Sequence, residues 1–260
     1  MEKFLQKPED LLKIEYHPIY TKDIESIWWE IVKLNSTLFV LNKIVKFNFK
    51  FFGSYLTKDH FWQILRQSLY ESCLLSLWKI DVDNTFDKGK TLNQIKNEII
   101  GNLKLDEDRL LFISEIKKNN YSKNVSELSE KVRLLRHNAV AHLNFEGIPR
   151  PSENEETKIR FEEIEYFTSQ INILFEFICF GNGHFVVPLE YYEGDRVDSN
   201  QKHITDIEEI LDTLVKESNV FKMPIERPQV WEHYHKKLSV TEVNLINSYR
   251  EKFKMELINA

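Results

Sequence analysis

Only seven glycines and seven prolines punctuate the 260 residues. Open sheets and barrels spend such residues on turns, so their scarcity excludes a turn-rich β architecture and leaves long helices joined by few loops. No run reaches the ~18 uninterrupted apolar residues of a membrane-spanning helix. The greasiest stretch, Ile171 to Phe180, is broken by Asn172 and Glu176. The N-terminus, Met1-Glu2-Lys3-Phe4-Leu5-Gln6-Lys7, has no apolar core of the secretory kind. There are two cysteines, Cys73 and Cys179, each inside an apolar helical pattern. They read as buried thiols of a reducing compartment, not as a disulfide or metal pair, so the expected address is the cytoplasm, with no membrane attachment. Positive charge is not in excess: 35 Lys and Arg face 41 Asp and Glu, net −6. Nothing therefore draws the whole molecule toward nucleic acid, although a phosphate still senses a basic island within about 10 Å. Gly-x-Ser-x-Gly and Walker motifs are missing as well.

What is present is ordinary globular material, 42% hydrophobic and 29% charged, long enough for one large domain or two small ones. Ile24, Ile27, Trp28, Ile31, Leu34, Leu38, Leu41 and Val45 recur at steps of three and four, predicting a helix over residues 23–47. Phe61, Ile64, Leu65, Leu69, Cys73, Leu77 and Ile80 predict a second over 57–80, stopped by Asp81-Val82-Asp83-Asn84. Shorter helices are expected over 92–100 and 106–117. Asn124 and Glu127, spaced as a capping box, open another that runs to 143. A strong helix follows over 158–180 and ends at Gly181-Asn182-Gly183. Beyond it the pattern predicts one short strand over 185–187 and helices over 206–216 and 241–257. The expected fold is all-α, with residues 1–183 as the main domain and 184–260 as a mostly helical C-terminal extension.

Among nine arginines and eight histidines, pairs with four to six residues between arise by chance about 0.8 times. The chain holds three: Arg136/His142, Arg196/His203 and Arg227/His233. Only the first lies in a capped amphipathic pattern, whose stripe is Val125, Leu128, Val132, Leu135, Ala139 and Leu143. Arg136 and His142 fall on opposite shoulders of that stripe, about 9 Å apart along the axis. A guanidinium grips a phosphate through two parallel hydrogen bonds and stabilises the charge that builds on it. An imidazole exchanges a proton with a 2′-hydroxyl or a leaving oxygen. The pair suits RNA cleavage without metal or cofactor. Lys131 and Arg133 extend it into a basic island expected to touch RNA, and Asn138, one turn before His142, is placed to orient the ring.

The run Arg133-Leu134-Leu135-Arg136-His137-Asn138-Ala139-Val140-Ala141-His142 resembles the motif of HEPN domains: arginine, a polar residue, three to five further positions, then histidine near a helix end. Two long aromatic-rich helices and Leu77-Trp78-Lys79-Ile80-Asp81 ahead of it are similar to the abortive-infection AbiU-like branch. The resemblance spans about residues 20–183. It implies an up-and-down helical bundle, frequently a homodimer, and a metal-independent endoribonuclease of toxin–antitoxin or phage-defence systems. Arg136 and His142 would then be the catalytic pair and His137 the polar position, where asparagine or aspartate is commoner. A small nucleotidyltransferase-like antitoxin would be a fitting partner.

Plainer readings stand beside these. Arg136 could be an ordinary ion-pairing residue, with Glu127 or Glu130 as partner, and His142 could simply favour the negative end of its helix. The chain would then be a non-catalytic module that binds protein or RNA. Asp81-Val82-Asp83-Asn84-Thr85-Phe86 lacks the sixth-position glycine of a calcium loop and reads as a polar turn. His233-Tyr234-His235 lacks a third placed ligand and reads as surface. The aromatics Trp28, Trp29, Phe47, Phe49, Phe51 and Phe52 read as core or subunit interface before they read as base-stacking groups.

Overall fold

A computed structural model describes residues 7–52, 59–82, 89–135, 159–180 and 205–258. The architecture is all-α. In chain order the helices are α1 (Pro8–Leu11), α2 (His17–Lys46), α3 (Asp59–Leu77), α4 (Leu92–Asn102), α5 (Asp106–Asn119), α6 (Tyr121–Leu135), α7 (Phe161–Ile178), α8 (Asp206–Glu217), α9 (Asn219–Glu226), α10 (Pro228–His235) and α11 (Val240–Lys252). A 3-10 turn, Ile14–Tyr16, leads into α2, and a π-helical turn, Trp78–Val82, continues α3. The only extended pairing among the described residues is a single antiparallel bridge between Leu12 and Leu103. No described helix is long and apolar enough to cross a membrane. The strand expected over 185–187 lies outside the described residues.

The chain divides into two compact units. The first comprises residues 1–39 and 68–190; the second comprises residues 40–67 and 191–260. In the first, α2 buries Ile24, Ile27, Ile31 and Leu34 as its periodicity requires. The stripe then runs through Leu38 and Leu41 to Ile44, and Val45 is exposed, because steps of three and four from Leu41 are satisfied by Ile44. Asn172 interrupts the apolar run of α7 for a structural reason. It forms a reciprocal amide pair with Asn35 of α2, Nδ2 to Oδ1 at 3.0 and 2.9 Å, and Asn35 also donates to the Ile31 carbonyl at 2.8 Å. Each amide satisfies the other, so neither strands a buried polar group. Asn35→Leu alone is expected to cost about 1–3 kcal/mol by orphaning Asn172, and the double change Asn35→Leu/Asn172→Leu to cost less than that single change; urea midpoints check it.

Both thiols are buried and free. Burial pushes Cys73 up to about 12 and raises Cys179 further. An aromatic disulfide reagent at neutral pH is therefore expected to label neither in the folded protein and both in denaturant, read by absorbance.

In the second unit, Phe47 meets Phe49 at 4.6 Å, Phe49 meets Trp62 at 4.6 Å, and Phe52 meets Tyr249 at 5.1 Å, edge-on. These rings form core, as expected, while Trp29 of the first unit is exposed. The first turns of α3 differ from expectation. Trp62 is the buried ring there, and Phe61 and Ile64 face solvent. Phe61 meets only the edge of Trp62, at 5.2 Å, among the ring contacts of the described residues, so the apolar spacing there does not become a buried face. Thr205 with Glu208 and Ser239 with Glu242 form capping boxes that start α8 and α11. Ion pairs Lys43–Glu208 (2.6 Å) and Lys252–Asp212 (2.6 Å) brace the same unit. Helices α9 and α10 were not anticipated because Pro224 and Pro228 look like breaks. Pro228 instead occupies the first position of its helix, where its missing N–H costs nothing.

Candidate functional site

The described part of α6 reaches Leu135, the residue before the motif. Arg136, His137, Asn138 and His142 all lie outside the described residues; the described structure shows how the helix that delivers them is held. Helix α6 starts at Tyr121 and not at Asn124, because Asn120 closes α5 in the left-handed conformation (φ 50°) and its carbonyl at once accepts from Lys123 and Asn124. Asn124 is no cap: its amide donates to Gln170 of α7 at 3.0 Å. The expected stripe is correct over its described part. Val125, Leu128, Val132 and Leu135 are buried, and α6 packs against α7 and the π-helical turn. Each such side chain contributes about 1.5–3 kcal/mol, which anchors the helix up to its last described residue.

A carboxylate then sets the position of α6 along its axis. Asp81 sits in the π-helical turn, a form that widens the helix by one residue and frequently marks functional positions. Tyr121 donates its hydroxyl to Asp81 Oδ1 at 2.7 Å, and Ser129, eight residues along α6, donates to Oδ2 at 2.5 Å. Asn93 of α4 adds a third bond to Oδ1 at 3.1 Å, and Lys96 donates to Asn93 Oδ1 at 2.8 Å. One acid thus grips two points of the motif helix and, through Asn93, reaches an ammonium. Burial, then the Asp81 charge and hydrogen bond, hold the Tyr121 phenol well above its usual range, so it stays a donor. Burial lowers Lys96, and Asp81 partly opposes that shift. Sequence reasoning placed Asp81 in a polar stop and at the end of the run that carries the resemblance, and gave it no partner. The one local hint was an acid at the end of an apolar helical pattern.

The chain leaves this region at Leu135 and returns at Ile159, and the two flanks are tied together. Lys131 of α6 donates to Glu163 of α7 at 2.9 Å and also pairs with Glu127 at 3.4 Å. Glu163 in turn accepts from the Arg160 N–H at 2.6 Å, capping α7. Tyr70 of α3 donates to the Ile159 carbonyl at 2.7 Å. The described residues on either side of positions 136–158 are thus held to one another.

The basic island is more compensated than its sequence suggests. Besides Lys131, Arg133 forms a two-pronged pair with Glu130, at 2.8 Å through Nε and 2.6 Å through Nη2. The acids that relieve these charges come from one turn earlier and from α7. This also occupies Glu127 and Glu130, the two acids considered as ordinary partners for Arg136.

The remaining candidates are placed plainly. His233 and His235 sit on α10, where His235 stacks on Trp231 and His233 faces an open cavity with Gln229 and Val230. Among the described residues no cluster of three His, Cys, Asp or Glu is arranged to hold a metal.

The family model for AbiU2, a HEPN model, matches residues 20–198, more than half of the chain and inclusive of the motif and its flanks. No curated protein matches the chain, and no solved structure does.

Proposed function

The chain belongs to the AbiU2 family of HEPN proteins, and on that premise we propose that it is a metal-independent endoribonuclease of an abortive-infection or toxin–antitoxin system. Arg136 binds the scissile phosphate and His142 exchanges the proton. The 2′-hydroxyl attacks the neighbouring phosphorus, its proton passes to a base, and the 5′-oxygen leaves with a proton from an acid. Arg136 neutralises the charge that develops on the non-bridging oxygens. Asn138 orients the His142 ring, and His137 fills the polar position of the motif. Lys131 and Arg133 contact the RNA backbone by exchanging a glutamate for a phosphate. With His137 assigned to the polar position, one catalytic imidazole per chain cannot take and give a proton in the same step, so the second role falls to the other copy of a homodimer, or to water. A nucleotidyltransferase-like antitoxin is the partner that would silence it.

The observation that carries this reading is the support given to α6. A carboxylate clamp, an apolar stripe and an inter-helix ion pair fix the turn that precedes Arg136, and the nearby acids are already engaged. Preorganised charge is what transition-state stabilisation requires. A second reading has its own observation: Tyr166 and Ile173, two turns apart on α7, are both exposed, a face suited to a module that only associates. Incubating single-stranded RNA with the protein and excess chelator, beside His142→Ala, separates the two. Chelator-resistant cutting lost in the variant supports the nuclease; intact RNA with folded wild-type protein leaves the module.

A further inference from the structure

Helix α10 buries none of its residues. An eight-residue helix is marginal in water without tertiary support, so an unburied one is suited to bind something on its outer face. Its surface carries rings in series. Trp231 and His235, one turn apart, are stacked at 5.8 Å with 24° between their planes, and Tyr234 lies 6.0 Å from Trp231 at 38°. Beside them Gln229, Val230, His233, Tyr234 and Lys237 border an open cavity of about 410 Å³, inside the range of about 300–1,000 Å³ usual for ligand clefts.

Charge selects the occupant. Arg227 precedes the rings and Lys236 and Lys237 follow them, and none of the three has a carboxylate partner among the described residues. Against these three cations stand Glu232 and, just before Arg227, Glu226, so the stretch keeps a small positive excess in a chain whose net charge is −6. Val230 is the one aliphatic side chain on the cavity. Trp, Tyr and Arg also serve protein interfaces, but π-faces in series, flanked by cations that have no carboxylate partner among the described residues, suit a polyanion with bases to stack.

We propose that α10 and its flanks form a platform for single-stranded RNA, with bases stacking along Trp231, Tyr234 and His235 and phosphates tracking Arg227, Lys236 and Lys237. RNA as the ligand rests on the ribonuclease reading; the stacking surface and its charge do not. The platform gives the C-terminal region a task separate from cleavage, that of holding substrate.

Fluorescence anisotropy of a short, labelled, mixed-sequence single-stranded RNA tests it, with full-chain His142→Ala protein so that the RNA stays intact. Trp231→Ala/Tyr234→Ala is expected to weaken binding about tenfold or more. Lys236→Gln/Lys237→Gln is expected to flatten the plot of log affinity against log salt by about 1.4, two contacts at about 0.7 each. Helix content should be unchanged, since none of these side chains belongs to the core. Affinity and salt slope equal to the parent in both variants overturn the platform, as does a parent that binds no RNA. Altered sedimentation with unaltered RNA affinity also overturns it and makes the face a protein interface. Cleavage by the unsubstituted protein is scored separately. Cutting without an α10 effect sinks the platform alone, and an α10 effect without cutting sinks the nuclease alone.

Discussion

Replacing His142 by alanine is expected to lower the cleavage rate at saturating RNA by about 10²–10⁴-fold while changing RNA affinity little, the usual worth of a positioned acid or base. In the proposed mechanism the imidazole contributes when a proton moves, not when RNA docks, so the loss belongs in kcat. Arg136→Ala should act differently. In the proposed mechanism its guanidinium touches the phosphate before and during reaction, so affinity and rate should both fall. Arg136→Lys should not restore the rate, because an ammonium cannot make the two parallel bonds that a planar fork makes. Single-turnover cleavage with chelator present, measured against RNA concentration, resolves the two patterns. The pH dependence adds a further check. If imidazoles of two copies serve as base and acid, the rate is bell-shaped around the ordinary imidazole range near pH 6.5. If water takes one role, one limb disappears. Full cleavage by His142→Ala would end the proposal.

Asp81→Ala should produce the largest loss of stability, about 2–4 kcal/mol, with a loss of cleavage on top of it. The carboxylate accepts from Tyr121, Ser129 and Asn93 together. Removing it strands a phenol that is almost wholly inaccessible, at 3% exposure, and leaves Lys96 without the charge that partly offsets its burial. Tyr121→Phe removes one donor and should cost about 1 kcal/mol, because the acid keeps two others. Urea unfolding with a constant slope gives these values. Asp81→Asn tests positioning apart from folding. Its amide oxygen can still accept from Tyr121 and Asn93, but its N–H is then directed at Ser129. The variant should fold, while cleavage falls with RNA affinity kept, since α6 is no longer held at two points by one acceptor. Asp81→Asn with wild-type cleavage would show that the clamp is structural only.

The family was legible before any fold was seen, because the motif and the Leu77-to-Asp81 run are contiguous stretches and the family model matches across both. The helices were legible for a related reason. Three-and-four spacing in α2, α6 and α7 reports one buried face per helix, and that pattern needs only neighbours within a few turns. Where the neighbours were distant the reading slipped. Phe61 and Ile64 have the spacing of core residues, yet Trp62 is the one that is buried, a choice made by Phe49. Asn124 has the spacing of a cap, but Asn120 had already begun the helix.

Composition and periodicity alone determined that this protein is helical, where its long helices run and that its thiols are buried; the resemblance of one contiguous run pointed to the motif. Hydrophobic repeats are local, and burial follows from them directly. Only the tertiary structure decided that Asp81 clamps α6, that Glu163 neutralises Lys131 across 32 positions of sequence, and that residues 40–67 join residues 191–260 in one unit. Such partners meet because a π-turn redirects one side chain and packed helices bring the others within about 3 Å. No spacing rule along the chain encodes that meeting.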